Sequence, residues 1–548
     1  MALTRTGVVT LVCALSVAAL ACLWPTSTKD LSPLVRGLLA KAGCPLGYDE
    51  NSGVPLPDDH PAVSGDAVVP GVRVLTLHIY HNGTIWTADP ELRLAACLVV
   101  EDEGGSIVHV GSSVAGCREA AVAAGEEAEA RRMVRHVDRD LHGAFLMPGM
   151  VDARMHVMWG GAILPTDASA GGRTDDSAVL ARAAAAALAA GLTTVGDFGR
   201  PLCGVGDASW GDLEGVYARA ADAGSLPLRV SVYTPLASWS RLSSHIAGNG
   251  YAHSGSGRLF WGGAAAWGDG RPGYVCDVEG GAVSDDIADV DLLPGLVETA
   301  EQAGLQVSVH ASTSQATTNA AGALRLAADA RTARPPSPQR HATGGAADID
   351  AEAAPHPTPL RMDLPLSLEG VTAAAASGEW LSHPGIMAVL SPQPESASTP
   401  AADPLSTWRS LAHHGVSVAY ASGWPLSGIE ISPQWALTAL AQDAVQHSSI
   451  GAPWAENELA EVEAILAGVT RGAARALGLA DYVGMLRQGM RADFVMLDRS
   501  PLAGPWPLDA PPAVLSTFVD ASCAYGFGAS PWVATAAAAQ LRGDGRGA

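Results

Sequence analysis

One short segment separates two regions of this sequence that differ in their pattern of residue types: Leu146-Met147-Pro148-Gly149-Met150-Val151-Asp152-Ala153-Arg154-Met155-His156. Before it, short runs of β-type residues alternate with Asn-Gly and Gly-Gly turns, which predicts a small antiparallel sheet. These runs are Val72–Leu77, Ile85–Thr87, Cys97–Val100 and Ile107–Val110. The segment therefore ends one unit of the fold and begins another.

After this segment, β-branched runs alternate with Ala-rich helical stretches. The runs include Thr193–Val195, Leu228–Val232, Gln306–Val309 and Ser417–Tyr420, and the helical stretches include Ser177–Ala190 and Leu292–Ala303. This alternation over roughly 300 residues predicts an α/β fold, either a parallel barrel or a doubly wound sheet. A helix over Glu456–Leu477 precedes a return to β structure near Ala492–Leu497. Since β runs stand at both ends, we expect both ends of the chain to build one accessory domain.

The composition argues against nucleic acid as a binding partner. The 548 residues contain 33 Lys and Arg against 56 Asp and Glu, which gives a net charge of −23. Only 16% of the residues are charged, so the acidity reflects a shortage of bases. A nucleic-acid binder needs a basic surface, and this chain has no such excess. A small-molecule ligand is the expected partner, and the sequence leaves the oligomeric state open.

The N-terminal region predicts targeting. Residues 7–24 carry no charge and follow Arg5, which is typical of a signal peptide or of a signal-anchor helix; both alternatives remain open. Residues 1–29 are assigned to this segment and 30–70 to a stalk or linker. We therefore expect the secretory pathway, with the body either secreted or tethered to a membrane through residues 7–24.

The cysteines fit an oxidising compartment. Outside the targeting segment they are scattered and form no CxxC pair, so a cysteine-based zinc site is not expected. One or two disulfides are possible, although the pairing cannot be read from the sequence. The Asn82-Gly83-Thr84 triplet is a glycosylation sequon, but its Asn-Gly pair favours a tight hairpin turn.

The segment at 146–156 resembles the entry strand of the amidohydrolase superfamily, whose pattern is Pro-Gly, two hydrophobic residues, then Asp-x-His-x-His. Four later segments resemble that superfamily in the same order, and the nearest branch is the amidohydrolase-3, YtcJ-like group. They are Gly191–Asp197, Val309-His310-Ala311, Ala421-Ser422-Gly423-Trp424-Pro425, and Gly484–Asp498.

The resemblance implies a (β/α)8 TIM-like barrel with a composite β-sandwich domain built from both ends of the chain. The barrel would span 148–479, and the sandwich would combine 71–147 with 480–548. A Pro-, Ala-, Ser- and Gly-rich stretch at about 331–359 breaks the alternation of strands and helices, which predicts a flexible insertion there. The resemblance also implies hydrolysis of carbon–nitrogen bonds other than peptide bonds, by water activated on zinc or another divalent metal.

Three positions depart from the pattern that the resemblance implies. Arg154 stands at the first His-x-His position, and a guanidinium cannot ligate a cation. The family segment Val-Lys-x-Phe-x-Asp-Gly corresponds to Gly257–Gly263, which puts Arg258 at the position of the metal-bridging lysine. Gly423 replaces the aspartate that contacts metal and shuttles the catalytic proton. The remaining candidate metal ligands are His156, His310 and His341.

The two arginines and the nearby acids have alternative roles. Arg154 and Arg258 could form an anion pocket, because guanidinium matches carboxylate and phosphate groups, or they could pair with Asp152 and Asp197. Asp152 is the candidate general base, although its position in the motif also suits orienting its neighbours. Asp269 could replace the lost acid, but the Asp-Gly pair there favours a turn.

Two functions follow. In the first, the chain is a divergent hydrolase with a reduced metal site made by the three histidines. In the second, it is a catalytically silent relative that serves as a binding or scaffold protein at a membrane surface and has no cofactor. The replacements at Arg154, Arg258 and Gly423 favour impaired or lost catalysis.

Overall fold

The computed structural model describes residues 73–128, 132–164, 175–199, 208–253, 257–268, 291–311, 313–333, 358–365, 383–392, 404–426, 431, 453–506 and 511–526. The expected targeting segment and stalk lie outside these residues, as does most of the expected insertion. Within the described ranges, no helix is both long and apolar enough to cross a membrane.

The strands are, in chain order, β1 (Arg73–Trp86), β2 (Leu94–Glu101), β3 (Ile107–Gly111), β4 (Arg132–Asp140), β5 (Phe145–Pro148), β6 (Met150–Met155), β7 (Leu192–Asp197), β8 (Arg229–Pro235), β9 (Leu259–Trp267), β10 (Val307–His310), β11 (Leu360–Pro365), β12 (Ile386–Ser391), β13 (Val418–Tyr420), β14 (Phe494–Leu497), β15 (Val514–Val519) and β16 (Ser522–Tyr525). The α-helices are Val114–Ala128, Val157–Ile163, Asp176–Ala189, Ala208–Asp212, Ala218–Asp222, Trp239–Asn249, Leu293–Gln302, Ser314–Ala333, Pro404–His413, Glu456–Ala467 and Ala473–Ala476. Short π-helical turns cover Leu213–Tyr217 and Gly468–Gly472, and a 3₁₀ turn covers Leu236–Ser238.

Strands β6 to β13 form one sheet in sequential order, with every pairing parallel. Two backbone hydrogen bonds bring the first strand against the segment that follows the last one. The N–H of His156 donates to the carbonyl of Trp424 at 2.8 Å, and the N–H of Gly423 donates to that of Arg154 at 3.0 Å. The expected barrel is therefore confirmed.

The second sheet combines strands from both ends of the chain. Its order is β16-β15-β14-β5-β1-β2-β3, with β4 also paired to β1. The join lies at Pro148-Gly149: β5 pairs with β14, and the Gly149 N–H donates to the Asp493 carbonyl at 2.9 Å. The next residue, Met150, begins the barrel. The quoted segment thus crosses from one sheet to the other, which fixes the start of β6.

Strand β1 differs from the prediction. It was expected as two short runs joined to a hairpin turn at Asn82-Gly83, but it is one strand that pairs with β2 on both sides of that point, with a shift of register. Asn82 has a φ of 60°, and a Cβ at Gly83 would lie 2.5 Å from the Ala144 carbonyl oxygen. The Asn-Gly pair therefore makes an irregularity within a strand, where the chain lies close to β5.

Candidate ligand-binding site

A cavity lies at the carboxyl ends of the barrel strands, the end at which barrel enzymes place their active sites. Strands β6, β8, β9 and β10 and the residues just after them contribute its polar lining. The side chains that matter for chemistry are Arg154, His156, Thr234, Trp267, Ser308 and His310. Two of the three predicted histidines and one of the two predicted arginines therefore face one space.

Arg154 is buried near the end of β6, with 4% of its surface exposed. Its Nη1 donates to Nδ1 of His310 at 2.9 Å. Its Nε lies 3.8 Å from Oδ2 of Asp363, too far for a hydrogen bond. The guanidinium carbon stands 5.0 Å from the ring centre of Trp267 and 5.6 Å from that of Phe198. The cation is thus held against two aromatic rings, at cation–π distance.

The bond from Arg154 fixes the tautomer of His310. A guanidinium has donors and no acceptor, so Nδ1 of His310 must accept, and a neutral ring then carries its proton on Nε2. Burial, followed by the charge of Arg154, lowers the pKa of His310 well below its usual value. The ring is therefore neutral, and its Nε2–H has no hydrogen-bond partner among the described residues. Neither nitrogen offers a lone pair to a metal while this bond exists.

His156 has the opposite tautomer. Its Nδ1 lies 2.9 Å from the carbonyl oxygen of Gly199, which can only accept, so Nδ1 carries the proton. Burial and the charge of Arg154 lower the pKa of His156 to about 3, so its ring is neutral. Its Nε2 lone pair is buried and unpartnered within the described part of the chain. This nitrogen can accept a hydrogen bond, take a proton or bind a metal.

An ion pair on β11 was missed by the sequence reasoning. Nε and Nη2 of Arg361 donate to the two oxygens of Asp363 at 2.9 and 3.1 Å, and Nη2 also reaches the Ala153 carbonyl at 2.9 Å. The two residues are fully buried. The available signal was the Arg-x-Asp spacing, since residues two apart in a strand share a face. Because Arg361 donates to both oxygens of Asp363, the charge of that carboxylate is balanced within its own strand.

The carboxylate of Asp152 links two segments of the backbone through hydrogen bonds. Its Oδ1 accepts from the N–H groups of Arg154 and Ser422, at 3.1 and 3.0 Å. Burial raises its pKa to about 6, although the hydrogen bonds from Ser422 oppose this effect. It is not among the residues found to line the cavity. This placement suits the orienting role more than that of a general base.

Arg258 lies at the wrong end of its strand for an anion pocket shared with Arg154. It precedes β9, and its Nη1 donates to the carbonyls of Leu226 and Pro227 at 3.1 and 2.9 Å. Its Nε donates to Asp520 at 3.0 Å. Since the strands are parallel, a residue before β9 sits at the opposite end from the cavity. The expected two-arginine pocket is therefore not formed.

The placement of the lysine motif on Gly257–Gly263 needs correction for the same reason. Moving it seven residues, to Ala264–Gly270, puts its aromatic position on Trp267 and its Asp-Gly on Asp269-Gly270. The lysine position then falls on Ala265, which does line the cavity. An alanine supplies no carbamate and no ligand. Asp269 itself lies outside the described residues.

The remaining predicted positions in the metal site are His341 and Gly423. His341 lies outside the described residues, and β11, the sixth barrel strand, contains no histidine. Gly423 has a φ of 63° and contributes its backbone to barrel closure. In the described part of the chain, no three His, Cys, Asp or Glu side chains are grouped to hold an ion. The described residues alone do not fit the three-ligand site that catalytic zinc requires.

Comparisons with known proteins agree with the fold. The Amidohydrolase family matches residues 162–520. The Arabidopsis thaliana protein LONG AFTER FAR-RED 3 is 32% identical over 142 residues, which cover 24% of this chain and 24% of that protein. The match thus spans about a quarter of that relative.

Two solved structures illustrate the fold. An uncharacterized metal-dependent hydrolase from Pyrococcus horikoshii OT3 is 16% identical, with a TM-score of 0.50, over 78% of this chain and 99% of that one. A triazine hydrolase variant is 14% identical, also with a TM-score of 0.50, over 85% and 99%. At these identities they show the fold alone. The family match spans more than half of the sequence, so the chain belongs to the amidohydrolase family.

Proposed function

We propose that this chain is an amidohydrolase-family barrel that binds a small molecule at the carboxyl ends of its strands and has lost metal-assisted hydrolysis. The observation that carries the proposal is the 2.9 Å bond from Arg154 to His310. Family membership supports a site for a compound with a carbon–nitrogen bond. The donor set argues against the metal-activated water that such hydrolysis uses.

The chemistry follows from charge and tautomer. Arg154 brings a fixed positive charge next to the two histidines, and a divalent cation would be repelled there. Arg154 also donates a hydrogen bond to Nδ1 of His310, so the proton of that neutral ring lies on Nε2. The lone pair on His156 is the one imidazole acceptor left among the cavity residues. A single ligand does not hold a catalytic zinc ion.

The test is the metal content of the purified full-length chain after supply of micromolar zinc, measured by mass spectrometry of the metal. We expect no stoichiometric zinc and no turnover of a chromogenic amide. In the Arg154→His variant, which restores the His-x-His pair and removes the charge, we expect zinc uptake to increase. Arg118→Gln, an exposed change on the helix Val114–Ala128 that packs on the accessory sheet, is the control.

The contrary result is equally definite. About one equivalent of zinc in the wild type, lost in His310→Ala, would show a working metal site and overturn the proposal. The reduced-site hydrolase would then be the correct function. Zinc that persists in His310→Ala would be bound elsewhere and would not count for either function.

We also propose that the body of the protein resides in the secretory pathway, either secreted or tethered through residues 7–24. The uncharged N-terminal run supports this location. So does the Cys97–Cys117 disulfide, since such bonds persist in oxidising compartments. Protection of the body from protease in intact microsomes is the check. A body digested without detergent would contradict the location.

A further inference from the structure

We infer that the cavity is a binding site for a small organic carboxylate, with the guanidinium of Arg154 as its charged anchor. This inference rests on the proposed function, because it names the class of ligand that the silent barrel would bind. It depends on the polar atoms of the cavity rather than on any residual metal site.

The first observation is a group of buried polar atoms that lack hydrogen-bond partners in the described part of the chain. All five belong to residues that line the cavity: Arg154 Nε, His156 Nε2, Thr234 Oγ1, Ser308 Oγ and His310 Nε2. Each of these residues is at least nine-tenths buried. Buried polar groups in native proteins are nearly always paired, so a set of five around one space indicates that a polar ligand completes it.

The second observation is the balance of donors and acceptors. Nε of Arg154 and Nε2 of His310 can only donate in the states fixed above, and the Thr234 and Ser308 hydroxyls can donate as well. His156 Nε2 is the one atom of the five that can only accept. A carboxylate accepts hydrogen bonds through both oxygens and carries the charge that complements a guanidinium. A cation, or an amine without an acceptor, would leave most of these donors unsatisfied.

The third observation concerns the walls. The rings of Phe198 and Tyr233 are stacked, with centres 4.2 Å apart, and Phe198 also faces Arg154. Trp267 packs on His310, with ring centres 4.2 Å apart, and Pro235 and Ala266 complete the apolar lining. These surfaces suit the carbon body of an organic acid. Inorganic sulfate or phosphate would gain nothing from them.

The anchor also lacks a full counter-charge of its own. Oδ2 of Asp363 lies 3.8 Å from Nε of Arg154, and the two oxygens of Asp363 already accept from Arg361. Removing a hydrogen-bond donor of the protein weakens the binding of a charged ligand more than the binding of a neutral ligand. A ligand carboxylate would take the place in front of Arg154 that Asp363 does not fill.

The cavity has a volume of about 30 Å³, which suits a ligand of only a few heavy atoms. The experiment is isothermal titration of the full-length chain with acetate and with its neutral counterpart, acetamide. We expect acetate to bind, and acetamide to bind at least about tenfold more weakly, as loss of a charged hydrogen bond implies. Benzoate, which is too large for the cavity, and sodium sulfate should both bind more weakly than acetate. Arg154→Gln should weaken acetate binding by about tenfold to a hundredfold, while Arg118→Gln should leave it unchanged.

Removing a buried arginine could prevent folding, so a second variant is needed. Thr234→Val and Ser308→Ala remove one unpartnered hydroxyl each and keep the charge, and each should weaken acetate binding by a few-fold. Equal binding of acetate and acetamide, or acetate binding that Arg154→Gln does not change, would overturn the inference. The zinc measurement is independent of this titration. Absence of carboxylate binding in a metal-free protein would refute the ligand class alone, whereas stoichiometric zinc would refute the proposed function.

Discussion

Asp197 lies at the end of β7, and its burial changes the pKa of its carboxyl group. Its Oδ1 accepts from the N–H of Val157 at 3.0 Å, and its Oδ2 accepts from the Tyr217 hydroxyl at 2.7 Å. Burial still raises its pKa to about 6. Between pH 4 and pH 6 the folded state therefore binds more protons than the unfolded state, and the contribution of Asp197 to stability falls as the pH rises.

We therefore predict that the stability deficit of Asp197→Asn shrinks with rising pH, by about 2 kcal/mol between pH 4 and pH 7. Urea denaturation at several pH values measures it. Tyr217→Phe is the matched control with the opposite trend: it removes a donor to the ionised carboxylate, so its deficit should grow with pH. A deficit of Asp197→Asn that stays constant with pH would show that the pKa is not raised.

The sequence predicts the location of a single residue well where that residue belongs to one short motif. Arg154 and His156 follow a Pro-Gly pair within one strand, and the structure places both at the cavity. Arg258 was misplaced because both possible registers lack the lysine, and local pattern does not show which end of a strand a residue occupies. The pairing of Arg361 with Asp363 had a local signal in the Arg-x-Asp spacing, but that spacing does not show that both side chains are buried inside the barrel.

At the scale of elements, one cluster joins the barrel to the accessory sheet. Arg229 at the start of β8 is fully buried, and its Nε and Nη2 donate to the two oxygens of Asp493 at 2.7 and 2.8 Å. Asp493 directly precedes β14. Burial opposes the charge of Arg229, but Asp493 and Asp520 outweigh it and raise its pKa. The two sheets are therefore linked by a buried, bidentate ion pair.

We predict that Arg229→Met lowers the free energy of unfolding by about 3–5 kcal/mol, because it leaves the buried carboxylate of Asp493 without its partner. Urea denaturation at pH 7 measures the loss. Arg241→Met, which breaks an exposed pair with Glu214, should cost less than about 1 kcal/mol. Equal effects of the two substitutions would mean that the cluster does not hold the sheets together.

The alternation of strands and helices predicted four of the eight barrel strands, β7, β8, β10 and β13, to within a few residues, because their buried runs are continuous. In the accessory sheet, the sequence predicts two separate elements in place of β1, since Asn-Gly usually marks a hairpin. The pairings with β2 and β5 instead hold β1 as one strand through that point. Pairing with neighbouring strands therefore determines the conformation at Asn82-Gly83, and the local sequence does not reveal that pairing.

At the scale of the whole molecule, the compartment affects the stability of the accessory sheet. The Cys97–Cys117 disulfide ties β2 to the helix Val114–Ala128 across a separation of 20 residues. Both sulfurs belong to a buried core with Leu77, Ile79 and Val99. Cross-linking a loop of this length restricts the unfolded chain and stabilises the fold by about 3 kcal/mol in the loop-entropy account. A chain folded in a reducing compartment would lose that contribution.

We predict that the double variant Cys97→Ala/Cys117→Ala unfolds with about 3 kcal/mol less free energy than the oxidised wild type. Urea denaturation of both proteins without reductant measures the difference. Because alanine at both sites removes the thiols as well as the bond, Cys97→Ser/Cys117→Ser serves as the second comparison, and the two double variants should agree in the direction of the change. Wild-type protein from a secretory host should resist alkylation at both cysteines until reductant is added. Free thiols at Cys97 and Cys117 in that material, or a double variant as stable as the wild type, would refute both the bond and the support it gives to an oxidising location.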